Sequence, residues 1–387
     1  MRRLVSMTSE ADIMKCIHLS EYAFQRKLSQ EELTRVKLKY QQHEVIGMKE
    51  GEKLISKLNI IPFEVQIEHQ DMKMGGIGGV ATWPEERRKG TVRQLLIKSL
   101  EIMRKNRQAI SFLHPFNISF YRKFGWELVF YEKVFTIKCE HLTPFEQPDG
   151  YVRRLDKLEG LAEAGRLYEQ YRKRYNGLLK RDEEDWMTNI LSDPLMLAVY
   201  YSKDGLALGY LLYKLENRKI IVEEWVDLHH ESRCGLWNFL CQHDSMIEQL
   251  EITVHPDDGL DFFLHEPKIK QEIHPYMMAR ITDIHSFLQD YPLRHLIEEP
   301  FVFQVTDEVA EWNNQTLQVD RHDVEAVNAE TAKNLLTIDI QSFTAFLLGA
   351  RTAQFFYQAG KLVGHREEVK RLDQTVVPLT PWLMDYF

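Results

Sequence analysis

Gly79-Val80-Ala81-Thr82-Trp83-Pro84-Glu85-Glu86-Arg87-Arg88-Lys89-Gly90-Thr91-Val92-Arg93-Gln94-Leu95-Leu96 reads as an apolar strand end, a proline-marked turn, a basic loop and a helix start. The helix keeps Val92, Leu95, Leu96, Ile97, Leu100 and Met103 close to the helical period. Such a strand–loop–helix aims unpaired backbone N–H groups and the positive end of a helix at one point, which suits a diphosphate. Arg87, Arg88 and Lys89 add positive charge, and Gly90 lets the backbone approach an anion closely. No Gly-Lys-Ser/Thr closes the loop and no Gly-x-Gly-x-x-Gly is present, so neither a P-loop nor a dinucleotide fingerprint accounts for it. Taken alone, Arg87-Arg88-Lys89-Gly90 reads more readily as a solvated helix start, and it is the context that raises the anion-binding reading.

The flanks supply context. Ser9 begins a helix carrying Ile13, Cys16, Ile17, Tyr22 and Phe24, and Ser29 with Glu32 makes a capping box for a second. Strands are expected at 43–49, 54–67 and 72–82, the first two separated by the turn Lys49-Glu50-Gly51-Glu52. A strand Ala109–Leu113, a short helix through Asn117–Lys123 and a strand pair within 127–137 follow the basic loop and its helix.

Pro144, Pro148, Asp149 and Gly150 mark a linker. Beyond it the order repeats: a helix from Asp156 to Tyr175, strands at 195–201, 206–215 and 219–228, a helix Ser232–His243, and strands Glu251–Val254 and His274–Arg280. His229-His230-Glu231-Ser232-Arg233-Cys234-Gly235 stands where a basic glycine loop is needed and is a poor anion cradle, so this copy reads as one that has lost cofactor binding. From Ile284 the pattern changes again, to a strand Pro300–Val305, a turn Trp312–Gln315 and a buried helix Ile340–Leu348 stopped by Gly349.

The chain has 387 residues with 44% hydrophobic content, enough for two or three globular domains. A net charge of −9 argues against a general nucleic-acid binder and is compatible with a cationic substrate. Cys16, Cys139, Cys234 and Cys241 form no Cys-x-x-Cys pair, which favours reduced thiols over a disulfide framework or a zinc site. No signal-peptide core and no run approaching about 18 apolar residues is present, so a cytoplasmic location without membrane association is expected.

Acetyl transfer from a thioester to an amine needs a neutral amine, donors for an oxyanion and a proton for the departing thiolate. Arg87-x-x-Gly90 is similar to the Arg/Gln-x-x-Gly-x-Gly/Ala acetyl-CoA loop of GCN5-related N-acetyltransferases, with Val92 in place of the second small residue. Phe120-Tyr121-Arg122-Lys123-Phe124-Gly125-Trp126 resembles the Tyr-x-x-x-Gly-Phe/Trp element that ends such a domain. The chain end, Pro381-Trp382-Leu383-Met384-Asp385-Tyr386-Phe387, is apolar and aromatic to its last residue, which points to a buried terminus. Burial would bring the α-carboxylate along, either as a base or as the end of a segment that merely docks.

Together these matches resemble the Eis (enhanced intracellular survival) family of acetyltransferases, over the whole chain. In that branch a bulky residue after the loop glycine, here Val92, is tolerated. The resemblance implies an α/β (α+β) chain with tandem GNAT-like mixed-sheet domains followed by a sterol-carrier-like domain. The boundaries expected are 1–147 for the acetyl-CoA-binding domain, 148–283 for its degenerate copy and 284–387 for the last. It implies acetyl-CoA as cosubstrate with no metal, contacts from Val80, Thr82, Arg87, Arg88, Gly90 and Thr91, Tyr121 as general acid and the Phe387 carboxylate as base. Asn117 would reach the pantetheine arm, or simply cap its helix. Acceptors in the family are amines of aminoglycosides, and its members form hexamers. For a polycationic acceptor, Glu21 and Asp385 are the candidate carboxylates and Trp83 a candidate wall. A lysine acetyltransferase, a tandem-GNAT aminoacyltransferase and a lipid-binding protein are the alternatives.

Overall fold

The computed structural model describes residues 2–191 and 194–387, and the chain divides into two compact units. The first runs from the N-terminus to Val129 and takes in Met277–Pro378 and Tyr386–Phe387; the second is Phe130–Tyr276 with Leu379–Asp385.

Chain order begins with β1 (Arg2–Ser6), α1 (Glu10–Ala23), α2 (Gln30–Gln42), β2 (Glu44–Glu50), β3 (Lys53–Ile67) and β4 (Gln70–Thr82). It continues with α3 (Thr91–Lys105), β5 (Ile110–Leu113), α4 (Ile118–Arg122), β6 (Glu127–Leu128) and β7 (Tyr131–Lys138). The local signals act as read: Ser9 accepts from the Asp12 N–H to start α1, and Ser29 and Glu32 close a capping box on α2. On one face, α3 lays Leu95, Leu96, Leu100 and Met103 into a core with Ile46, Leu58, Ile60 and Ile77. On the other, α1 packs Ile13, Cys16, Ile17 and Leu19 with Val45, Leu54 and Ala81.

The second series is β8 (Tyr151–Leu155), α5 (Lys157–Tyr171), the one-turn α6 (Glu183–Asp185), β9 (Met196–Tyr201), β10 (Ala207–Glu216) and β11 (Lys219–Asp227). It ends with α7 (His230–Cys241), β12 (Gln249–Val254), α8 (Leu260–Phe263), β13 (Lys270–Pro275) and β14 (Met278–Ile281). The single strand expected over His274–Arg280 is thus two strands, broken at Tyr276–Met277. They join different sheets. The first sheet runs β1-β2-β3-β4-β5-β14-β6 and the second β13-β7-β12-β11-β10-β9-β8.

The first two sheets therefore cut across the expected boundary at 147/148. β7 pairs with β12 and β13 in the second sheet, while β14 pairs with β5 and β6 in the first. Apart from this exchange the two strand orders match, which is the signature of a duplication.

The last series is α9 (Ile284–Asp290), β15 (Phe301–Thr306), β16 (Gln315–Val319), β17 (Val324–Ala326), β18 (Leu335–Asp339), α10 (Ile340–Leu347), α11 (Ala353–Gln358), β19 (Leu362–Val363) and α12 (Arg366–Thr375). Its five-stranded sheet runs β17-β16-β15-β18-β19, and Gly349 stops α10 with φ 87° as the sequence suggests.

Candidate active site

The parallel pairing of β4 with β5 ends at Ile77 opposite Leu113, while β4 continues to Thr82. From Gly78 onward one edge of β4 has therefore lost its partner. The other edge is bulged: Asn59 pairs with Gly78 and Lys57 with Ala81, so Gly79 and Val80 together face Leu58. Gly79 sits at φ 55°, the left-handed conformation that glycine takes without strain. A splayed strand edge with a bulge offers backbone N–H and C=O groups to an elongated polar ligand. Val80 and Thr82 lie on it, and the buried Thr82 hydroxyl has no hydrogen-bond partner among the described residues.

Past Trp83, Pro84–Glu86 form a 3₁₀ turn closed by Arg87 N–H to the Pro84 carbonyl (3.2 Å). Arg88 and Gly90 both take left-handed backbone conformations (φ 61° and 79°), turning the loop so that α3 begins at Thr91 without a side-chain cap. The first intrahelical bond is Gln94 N–H to the Gly90 carbonyl (3.3 Å), which leaves the N–H groups of Thr91, Val92 and Arg93 without helical partners. A Cβ at Gly90 would meet nothing within 4 Å, so the approach is open. Arg87, Arg88, Lys89 and Gly90 are exposed; Lys89 is tethered to Glu86 (3.1 Å), Arg87 Nε to the Thr82 carbonyl (3.4 Å). The orphaned hydroxyl, the open helix start and the two arginines fit a pantetheine arm and a pyrophosphate.

Asn117 caps α4, its side-chain oxygen accepting from the Phe120 N–H (2.8 Å) and the Ser119 hydroxyl (2.7 Å). The capping alternative is thus realised, and a pantetheine contact would fall to the remaining amide nitrogen. Tyr121 follows on α4, only 2% exposed, with its ring among Phe116, Phe120 and Trp126. Burial pushes its phenol well above the ordinary range, so it stays protonated and suits an acid rather than a base. Just beyond, Gly125 (φ 85°) makes room for the buried guanidinium of Arg280, which donates to the Phe124 carbonyl and the Asp307 carboxylate.

Phe387 lies against β4. Its ring meets Phe63 at 4.8 Å between centroids and fills the place where a Cβ at Gly76 would stand. The carboxyl carbon of Phe387 is 3.8 Å from where a Cβ at Gly78 would be, at the residue where the strands part. Tyr386 is exposed and its ring meets His114, just past β5, at 5.1 Å. The structure thus brings Val80, Thr82 and the Phe387 carboxyl to one bulged strand.

The acceptor candidates have partners of their own. Asp385 belongs to the second unit, buried, with Arg181 Nε at 2.8 Å and the Tyr168 hydroxyl at 3.4 Å. It is a structural ion-pair partner there, a correction to its reading as a carboxylate offered to substrate. Glu21 accepts from the Leu28 N–H (3.0 Å) and so closes the turn after α1. Trp83 donates its indole N–H to the Leu54 carbonyl (2.9 Å) and meets the rings of Tyr22 (5.0 Å) and His18 (5.8 Å) at a tilt. Lys57, which sequence reasoning passed over, is fully buried at the bulge.

Residues 5–129 and 177–281 each match an acetyltransferase (GNAT) domain family, and residues 284–384 match the sterol carrier protein domain. The chain carries two GNAT acetyltransferase domains in an Eis-like fold. Over 100% of both chains it superposes on a conserved protein of Enterococcus faecalis V583 described as "Probable N-Acyltransferase", at 27% identity and a TM-score of 0.91. A GCN5-related N-acetyltransferase from Anabaena variabilis is similar over 100% of both chains at 20% identity and a TM-score of 0.87. Eis1 from Mycobacterium abscessus is similar over the same extent at 17% identity and a TM-score of 0.81. No curated protein matches the sequence. GNAT domains imply acetyl-CoA as the donor, and among the described residues no helix is long and apolar enough to cross a membrane.

Proposed function

We propose that this acetyltransferase moves the acetyl group of acetyl-CoA directly onto a primary amine, with Tyr121 as general acid and the Phe387 carboxylate as base. The observation that carries the reading is the seating of Phe387 on Gly76 and Gly78, at the point where β4 leaves β5. Acetyl-CoA supplies the activated thioester. In the proposed assignment, Arg87, Arg88, Gly90 and Thr91 hold its pyrophosphate, and the backbone of Val80 and Thr82 orients its pantetheine arm.

The carboxylate takes a proton from the incoming ammonium, the freed amine forms the new C–N bond, and the C–S bond breaks. The proton of the Tyr121 phenol goes to the departing thiolate, and the second proton that the nitrogen sheds on becoming an amide restores the phenol. A phenol kept protonated by burial is suited to that step.

The acceptor class we propose is an aminoglycoside or similar polyamine, and the assembly a hexamer. A CoA-release assay with an aminoglycoside panel and a lysine peptide tests the acceptor. Turnover of the polyamines over the peptide supports it; turnover of the peptide alone replaces it. Light scattering on the purified protein gives the assembly.

A further inference from the structure

Lys57 is fully buried on β3, and no carboxylate lies within ion-pair reach of it among the described residues. Its ammonium donates to the Tyr40 hydroxyl (2.8 Å) and the Asn59 side-chain oxygen (3.2 Å), both neutral. A buried ammonium is costly unless a charge balances it.

Strand geometry indicates which charge. Past the bulge near Ile55, Lys57, Asn59, Ile61 and Phe63 of β3 share one face of the sheet. Along that face, Phe63 carries the Phe387 ring. A Cβ at Gly78 would lie 3.0 Å from Ile61 Cδ1 and 3.8 Å from the Phe387 carboxyl carbon. A Cβ at Gly79 would lie 2.7 Å from Lys57 Nζ and 3.5 Å from Asn59 Nδ2. The ammonium and the terminal carboxyl therefore stand over neighbouring glycines of β4, on one face, at the bulge. Gly79 leaves room for Nζ where any side chain would collide.

The other ionisable groups around the pair leave this charge unbalanced. Cys16 on α1 has its thiol pushed up to about 11 by burial, and His43, just past α2, is pushed down to about 4 by burial, then by Lys39 and Lys57. Both are neutral at pH 7. Tyr40 on α2 is a hydroxyl donor and acceptor only, Asp12 is paired with Lys49 (2.5 Å), and burial lowers His114 beside Tyr386.

We propose that Lys57 is a positioning residue, its buried ammonium keeping the Phe387 carboxylate ionised and ready to take the acceptor's proton. This rests on the terminal-base reading above. A nearby positive charge favours the ionised carboxylate, so removing it raises the pH at which the base becomes protonated.

The test is the pH profile of kcat/KM for Lys57→Met, with Lys57→Gln as a second neutral variant should the first fold poorly. The expected result is an acid limb moved up by about one pH unit, with acetyl-CoA affinity unchanged. Tm should fall modestly, since the buried Tyr40 hydroxyl and Asn59 side-chain oxygen lose their donor. In a chain extended by one residue past Phe387, the same substitution should cause no further change. An unmoved acid limb in a protein that the extension inactivates overturns the role of Lys57 alone. Turnover that falls only as the folded fraction falls overturns it too. An extension that leaves turnover intact removes the terminal base itself, and this inference with it.

Discussion

The two seven-stranded sheets part company immediately after the same landmark. In the first, β4 follows β5 as far as Ile77 and Leu113, then bulges at Gly79–Val80. In the second, β11 follows β12 as far as Val222 and Ile252, then bulges at Glu223. Beyond that point Trp83–Gly90 connect β4 to α3, whereas Leu228 and His229 alone connect β11 to α7. Arg174 occupies the Asp227 and Leu228 carbonyls (2.9 and 2.6 Å), and Arg233 is bound to Asp227 (3.1 Å) and Asp258 (2.5 Å). At the second bulge Glu224 is buried with Arg181 (2.6 Å) and Tyr210 (2.8 Å), and Arg181 also holds Asp385. Both copies keep the strand order because packing demands it. Only the first keeps a junction whose amides and arginines are left for a ligand.

The strongest challenge to this contrast is one residue added after Phe387. It displaces the carboxylate by about 3.3–3.6 Å, and turnover should fall about a thousandfold, within the range of acid–base contributions. Calorimetry should still show one acetyl-CoA site per chain; undiminished turnover, or two sites, would break the comparison. Next, Arg181→Met strands Glu224 and Asp385 as buried charges and should cost about 3 kcal/mol of stability, read as a lower Tm; an unchanged Tm would mean the second bulge is not locked by this cluster. Tyr121→Phe should lower kcat about a hundredfold with acetyl-CoA affinity unchanged, and an unaltered rate would take the acid role from it. The smallest effect is the sharpest discriminator: Arg87→Glu with Arg88→Glu should weaken acetyl-CoA binding about tenfold, the worth of roughly one charge-assisted hydrogen bond. Arg233→Gln, at the corresponding junction of the second copy, should leave that affinity alone.

The first junction was legible because its signals are short-range: a strand, a proline, a glycine and a helical period lie within a few residues of one another. The capping box of Ser29 and Glu32 and the glycine stop after α10 are legible for the same reason. Asp385 was misread because its partner, Arg181, lies far away in sequence, and an acidic residue near a chain end looks solvated until that partner is known. Lys57 and Asn59 alternate with apolar residues along β3 and so imitate a solvent face. In the fold that face is covered by α1 and α2, and Lys57 has no exposure at all. The break between β13 and β14 carries a local signal, Pro275 at the end of β13, but it is pairing with two different sheets that divides His274–Arg280.

That division governs how the protein can be made. β14 is synthesised last among the strands of the first sheet, yet it lies between β5 and β6. Until Ile281 has emerged from the ribosome, Ile110–Leu113 presents a bare hydrogen-bonding edge of the sort that invites pairing with another chain. A fragment cut at the linker near Pro148 would carry that gap permanently. A piece that completes the first sheet must extend through Ile281 or receive the missing strand as a separate peptide.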